Sequence, residues 1–279
     1  MTVINTNIAA NNTYRQMNLA SESAASSMEK LSSGLRINRA ADDAAGLSIA
    51  EGLKAQSNGL EVAARNAGDA VSLIQTAEGG LSSAHEILQR VRDLAVQAGN
   101  DSNNADARTA IDTEIKALGE ELGRMAESIT FNGISLLNGA SGPAGDGQFS
   151  FQVGANATND QITLDLTAAS LTDVAAAVSA LDVTTAAAAA TSITAVDTQI
   201  AYVSTARSDL GATQNRLEQT IKHVNISAEN LTAAESSIRD VDMAKEMVEL
   251  SASNIKQQAS QAMLAQANQS TQGVLQLLR

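Results

Sequence analysis

The chain is 279 residues long with a formal net charge of −13; it has no cysteine, no tryptophan, two tyrosines (Tyr14, Tyr202) and three phenylalanines (Phe131, Phe149, Phe151). The acid excess disfavours nucleic acid and anionic membranes as partners, since affinity for both comes largely from Lys and Arg, and the missing thiols exclude disulfides and thiolate metal sites. Enzyme cores and pockets are usually built around aromatics, so this composition points instead to thin helical bundles packed from Ala, Leu, Ile, Val and Met.

Along the chain, the start Met1-Thr2-Val3-Ile4-Asn5-Thr6-Asn7 has no charged stretch followed by an apolar one and is not read as a secretory signal. No apolar run reaches bilayer-spanning length. The first helical stretch is irregular, with Met28, Leu31 and Leu35 as its best stripe. The clearest stripe follows, through Leu60, Ala64, Ala67, Val71, Ile74, Ala77, Leu81, Ala84, Leu88, Val91 and Ala95, in alternating steps of four and three. That period near 3.5 is the mark of coiled-coil packing. Gly79-Gly80 falls inside it at a cost of about 1 kcal/mol per Gly against Ala, but the stripe keeps phase across the pair, so one continuous helix is predicted. Ile111, Ile115, Leu118, Leu122, Met125 and Ile129 repeat the pattern.

The composition then changes. Phe131-Asn132-Gly133, Leu137-Asn138-Gly139 and Gly142-Pro143 are turn signals. Gln148 to Val153 and Ile162 to Leu166 alternate apolar and polar residues, as the strands of a small hairpin would. Residues 167–192, Ala- and Thr-rich with an Ala186–Ala190 run, yield no assignable element. The last stripe begins near Ile193 and continues through Val196, Ile200, Val203, Leu210, Leu217, Ile221, Val224, Leu231 and Ile238. It passes without a clear stop into Val241, Ala244, Val248, Ala252, Ile255, Ala259 and Ala262. The expected fold class is mainly α: long antiparallel coiled-coil helices from both chain ends, with a small β-hairpin insertion.

Residues 1–40 and 240–279 are rich in Ser, Asn, Gln and Ala. Ordering about 40 residues costs roughly 1.5 kcal/mol each, on the order of 60 kcal/mol, which calls for on the order of 2,400 Å² of buried apolar surface. One narrow stripe of small residues is a poor source of that burial, and neighbouring copies are a good one. Both ends are therefore expected to be largely disordered in the monomer and to become helical on assembly.

Several motifs carry a family resemblance. Val3-Ile4-Asn5-Thr6-Asn7, the stretch Met28-Glu29-Lys30-Leu31-Ser32-Ser33-Gly34-Leu35-Arg36-Ile37-Asn38 and Ala41-Asp42-Asp43-Ala44-Ala45-Gly46 resemble the N-terminal region of bacterial flagellins. So do Gln89-Arg90-Val91-Arg92-Asp93-Leu94-Ala95-Val96-Gln97 and Phe131-Asn132-Gly133. Leu264-Ala265-Gln266-Ala267-Asn268-Gln269 and Val274-Leu275-Gln276-Leu277-Leu278-Arg279 are similar to the flagellin C-terminus. The likeness spans roughly the first 140 and last 85 residues, while the large outer domains of longer flagellins are missing.

The resemblance implies a homopolymer, a hollow helical filament outside the cell, exported through the flagellar type III apparatus without a cleaved signal peptide. It implies an inner terminal-helix domain of residues 1–43 plus 237–279 and an outer helical domain of residues 44–236, with its β region at about 131–192. Met28, Leu31, Leu35, Val241, Val248, Ile255, Leu264, Leu275 and Leu278 are the candidate assembly residues, with ordinary intrachain packing as the equal alternative for each. An export chaperone, a filament cap and hook-junction proteins follow as partners. Arg90, Leu94 and Glu114 match positions at which immunostimulatory flagellins bind the flagellin-sensing Toll-like receptor of vertebrates; Arg90 and Leu94, four apart, share a helix face. Assembly alone also accounts for them, as a solvated charge beside a filament-contact leucine.

Enzymatic readings fail on particular residues. His85-Glu86-Ile87-Leu88-Gln89 begins like the zinc motif H-E-x-x-H but ends on Gln89, and His223 is the one other histidine. Asp42-Asp43 imitates a carboxylate pair but reads as a solvated face, and Gly79-Gly80 lacks the Lys-Ser/Thr of a phosphate loop. No catalytic residue, cofactor or metal is expected. The competing readings are a hook–filament junction protein, and a secreted coiled-coil effector or adhesin that would not need both specific ends.

Overall fold

The computed structural model describes residues 6–142, 145–156 and 160–277, with side chains described to position 270. Val3-Ile4-Asn5, Pro143 and Leu278 lie outside the described residues, and so does the side chain of Leu275. In order the elements are α1 (Ile8–Ser33), α2 (Ala44–Ala98), α3 (Ala105–Ser128), β1 (Thr130–Phe131), β2 (Ile134–Ser135), β3 (Gln148–Gln152), β4 (Gln161–Asp165), α4 (Leu171–Ser179), α5 (Ala186–Arg239) and α6 (Met243–Leu277). Mainly α with small antiparallel hairpins is thus the fold class. The chain forms two compact units, one of Met1–Ala55 with Asn230–Arg279 and one of Gln56–Glu229; α2 and α5 supply segments to both.

In the Gln56–Glu229 unit, α2 and α5 run antiparallel. Glu78 pairs with Arg207 at 3.5 Å and Arg92 with Asp197 at 2.6 Å. The stripe of α2 faces inward: Ala67, Ile74, Ala77, Leu81, Ala84, Leu88, Val91 and Ala95 are all buried. It meets Ile115 and Leu122 of α3 and Val196, Val203, Leu210 and Leu217 of α5 in one core. The helix is continuous through Gly79-Gly80, and packing gives the reason: a Cβ on Gly80 would stand 2.4 Å from the Cδ1 of Ile129 and 2.9 Å from that of Leu137. The helical cost of glycine here permits close approach of the β1–β2 segment.

That segment is a two-residue hairpin, with Phe131 opposite Ile134 and both Asn132 and Gly133 at positive φ, the requirement of a type I′ turn. The second hairpin pairs Phe149 with Leu164 and Phe151 with Ile162. Phe149 and Leu164 are buried in the core while alternate residues face solvent.

The stretch at 167–192 resolves into a single 3₁₀ turn, then α4, then the start of α5. The Ser170 hydroxyl caps α4 by accepting from the Asp173 N–H, and the Thr185 hydroxyl accepts from the Ala188 N–H at 3.1 Å to start α5. The alanine run is thus the first turn of a long helix, seven residues before the stripe becomes visible at Ile193. Gly119 and Gly123 of α3 lie against α4 residues Ser179 and Ala175.

The last two helices are not continuous, contrary to the stripe. Helix α5 ends at Arg239 and α6 starts at Met243. Asp242 makes the break: its carboxylate accepts from the N–H groups of Ala244 and Lys245 at 3.0 and 3.1 Å, as an N-cap does. The apolar spacing survives because the break is short.

Candidate functional site

Among the described residues, the distinctive chemistry is distributed over the helix surfaces. The Met1–Ala55 and Asn230–Arg279 unit is built on α1 and α6, which lie antiparallel. The Asn7 side chain donates to the carbonyl of Ala267 at 3.1 Å, the hydroxyls of Ser23 and Ser253 are 3.2 Å apart, and Lys30 stands 3.9 Å from Glu246.

The residues shielded along this seam recur at steps of three and four and are mostly small or polar, with Met17, Leu31, Leu250 and Leu264 as half-buried exceptions. On α1 they are Thr13, Met17, Ala20, Ala24, Ser27 and Leu31; on α6 they are Glu246, Leu250, Ser253, Gln257, Ser260 and Leu264. Glu246 is only 7% exposed. Most of the large apolar side chains lie on the other side. Val248 is 69% and Ile255 65% exposed, and Ile8, Tyr14, Leu19, Met28, Met243, Met247 and Met263 are also exposed. Each helix is therefore partly inverted relative to an ordinary amphipathic helix, which buries its apolar stripe.

The candidate assembly residues divide accordingly. Met28, Val248 and Ile255 face outward; Leu31 and Leu264 are half-buried in the seam; Leu35 and Val241 flank the junction of the two helical ends. The outward Ile8, Tyr14, Leu19, Met243, Met247 and Met263 escaped sequence reasoning, which followed the longest single stripe. Their signal is that a second stripe, of small and polar residues, runs in the same helix at coiled-coil spacing.

At the junction, the Gly34 to Asp43 connector explains most of its sequence. Gly34 sits at φ +73° as the C-cap of α1, with its N–H on the Lys30 carbonyl, a left-handed geometry that glycine adopts without penalty. The Arg36 N–H donates to the Arg239 carbonyl at 2.7 Å, the Val241 N–H to the Gly34 carbonyl at 3.1 Å, and the Arg36 guanidinium to the Ile238 carbonyl. Asp42 accepts from the N–H groups of Arg39 and Asn38 at 2.9 and 3.0 Å. Those two bonds, Arg39's first, hold its carboxyl below the usual aspartate range. Asp43 caps α2 by accepting from the Gly46 N–H at 2.9 Å. The adjacent carboxylates are therefore two separate caps, each fixing one turn of backbone.

Arg90, Leu94 and Glu114 lie in the other unit. The Arg90 guanidinium donates from Nε and Nη2 to one Glu114 oxygen at 3.1 and 2.7 Å, and both residues are exposed. Leu94, at 2% exposure, belongs to the core. Spacing by four puts Arg90 and Leu94 on neighbouring turns, with the arginine exposed and the leucine in the buried core. His85 and Gln89 are joined through their side chains at 2.9 Å. Among the described residues no cluster of three His, Asp or Glu could hold a metal, and no helix is long and apolar enough to cross a membrane.

Known proteins bear on this geometry directly. The signature of the bacterial flagellin N-terminal helical region matches residues 4–141, and that of the flagellin C-terminal helical region matches residues 193–278. A flagellin of Halalkalibacterium halodurans is 51% identical over 277 residues, covering 99% of this chain and 100% of the relative. A flagellin of Bacillus subtilis is 49% identical over 303 residues, with 99% of each covered. The crystal structure of Bacillus cereus flagellin aligns with a TM-score of 0.50 at 34% identity, over 61% of this chain and 94% of that one.

Proposed function

Because the chain belongs to the bacterial flagellin family, we propose that it polymerises through the outward faces of α1 and α6, the inward seam serving only to hold the two helices in register. The chain is a structural subunit of the flagellar filament outside the cell, and not an enzyme. The single observation behind the assembly reading is the inversion: Val248 and Ile255 are more than half exposed while Ser253 and Glu246 are buried. Fully burying a Val or Ile side chain contributes roughly 1.5–3 kcal/mol, which these helices obtain from neighbouring subunits. Residues 1–43 with 237–279 then form the filament core and 44–236 the outer layer. Leu31 and Leu264 serve the seam, and Met28, Val248 and Ile255 the subunit contacts.

The test is seeded polymerisation, followed by sedimentation and negative-stain electron microscopy. Val248→Asp with Ile255→Asp is expected to abolish filaments while leaving the monomer's α-helical content unchanged. Normal filaments from that variant would sink the assignment. Hydrogen exchange on α1 and α6 adds a second check: low protection in the monomer and high protection in the filament are expected, and strong protection in both would refute folding upon assembly.

Further partners belong to the same proposal by family resemblance: an export chaperone, a filament cap, hook-junction proteins, and delivery through the type III apparatus. For the vertebrate flagellin-sensing Toll-like receptor, Arg90 and Glu114 supply the contact surface and Leu94 supports it from beneath. In a cell-based reporter assay, Arg90→Ala is expected to weaken signalling, and Leu94→Ala to do so only with loss of thermal stability. Equal signalling by wild type and both variants removes these residues from the site. The hook–filament junction reading is the weaker one, since near-half identity to flagellins extends over almost the whole chain.

A further inference from the structure

We propose that the assembly surface carries a methionine oxidation switch: Met28, Met243, Met247 and Met263 are sites at which peroxide or hypohalous acid converts the free subunit into one that cannot join the filament. The inference rests on the outward-face reading above. The chain has seven methionines and no cysteine, so thioethers are its only oxidisable sulfur. Exposure at these four runs from 49% to 63%, and all four lie on α1 and α6. By contrast, Met17 is half-buried in the seam and Met125 is packed against the core of the other unit. Thioether oxidation follows exposure, which separates the four from Met125. Met17 is as accessible as they are while α1 is unfolded in the free subunit, but its sulfur lies in the seam and not on the outward face.

The chemistry is a two-electron oxygen transfer. A sulfur lone pair attacks hydrogen peroxide, the O–O bond breaks, an S–O bond forms, and water leaves; with hypochlorous acid the co-product is chloride and a proton. The product replaces a flexible apolar side chain with a strongly polar one. In the free subunit the sulfoxide points into water and costs little. In the filament it must be desolvated without a designed partner, which is unfavourable. Oxidation therefore acts on assembly and spares the monomer's fold. Methionine suits an interface that must fit several neighbours, being unbranched and adaptable, and that same choice creates the sensitivity.

The experiment treats full-length monomer with hydrogen peroxide, maps sulfoxides by peptide mass spectrometry, and measures seeded polymerisation by sedimentation. Oxidation at the four positions is expected to raise the critical concentration on the order of tenfold, with treatment by the two methionine sulfoxide reductases restoring it. The quadruple variant Met28→Leu, Met243→Leu, Met247→Leu and Met263→Leu is expected to polymerise after the same treatment. Full sulfoxide occupancy at the four sites with unchanged polymerisation overturns the proposal, as does peroxide sensitivity persisting in the quadruple variant. If Val248→Asp with Ile255→Asp blocks assembly but sulfoxides do not, the switch alone fails. If those aspartates are also tolerated, the outward-face reading fails with it.

Discussion

Two helices of this chain, α2 and α6, carry the same 3-4 spacing of apolar residues and do opposite things with it. In α2 the stripe from Ala67 to Ala95 is turned inward and closed over by α3, α5 and the hairpins. In α6, Val248 and Ile255 stand in solvent while Glu246 and Ser253 occupy the inward positions. The spacing of apolar residues states which face a helix must bury; it does not state whether the covering partner belongs to the same chain. Where two interleaved stripes exist, a polar one directed inward implies that the apolar one is reserved for other molecules.

The sharpest way to break this contrast is to truncate one residue from each stripe. Leu88, fully buried in α2, should lose about 2–5 kcal/mol of unfolding free energy as Leu88→Ala, seen in urea as a lowered midpoint for the Gln56–Glu229 unit. Val248→Ser should leave that midpoint within about 0.5 kcal/mol while impairing polymerisation. A Val248→Ser cost as large as the Leu88→Ala cost would mean that the outward face of α6 is packed within the monomer, and the contrast would collapse.

A smaller effect sharpens the account of the core. Gly80→Ala places a methyl into the side chains of Ile129 and Leu137; overpacking of this kind costs about 1–3 kcal/mol, against roughly 1 kcal/mol gained in helix propensity. Net destabilisation in thermal unfolding is expected, whereas Gly79→Ala, with open space at its Cβ, should stabilise. Equal effects at the two glycines would show that close approach is not the reason for the second.

The seam offers the next step down. Lys30 stands 3.9 Å from the shielded Glu246, and Lys30→Met leaves that carboxylate without its partner at a cost of about 1–2 kcal/mol. Because the pair is one of three polar contacts that align the turns of α1 and α6, the variant should also loosen the register. Disulfide trapping between Ser23→Cys and Ser253→Cys should then become slower, whereas an unchanged trapping rate would show that register is set elsewhere.

How much of this was legible in the sequence follows from the range of the interactions involved. The α2 and α3 stripes, the β3–β4 hairpin and the turn at Asn132-Gly133 are readable because local periodicity and turn chemistry decide them. The α5 start at Ala186 was not, since an alanine run carries no stripe and its signal is the single Thr185 cap. The break at 240–242 was hidden by a stripe that keeps phase, although Asp242 ahead of an apolar run is a cap signature. Leu31 stands out by its stripe, and Leu264 and Leu94 by the motifs that carry the resemblance. Which side of the helix each occupies depends on neighbours distant in sequence, and periodicity in one segment cannot supply that. Asp42-Asp43 was seen, but its two separate capping roles required the backbone geometry of the connector.

The smallest expected effect concerns that connector and its pH dependence. Asp42 is held below the usual aspartate value of 3.8 by its bonds from Arg39 and Asn38. A lowered folded value means that the unfolded chain binds a proton more readily, so the contribution is fully present above the unfolded value. It disappears as pH falls through the lower folded one. The connector from Gly34 to Asp43 should therefore keep its structure at neutral pH and loosen only in acid below the ordinary aspartate range. Carboxyl carbon chemical shifts of Asp42 in an NMR titration should give a midpoint below that of a solvated aspartate, and amide exchange at Asn38 and Arg39 should accelerate with the same midpoint. Asp42→Asn, which keeps an acceptor but has no titration, should remove the pH step while preserving some protection. If protection of those amides persists unchanged through the titration, the bonds to Asp42 do not hold the connector, and its geometry must come from Gly34, the contacts of Arg36 and the bonds of Asn38 and Arg39 to Glu29.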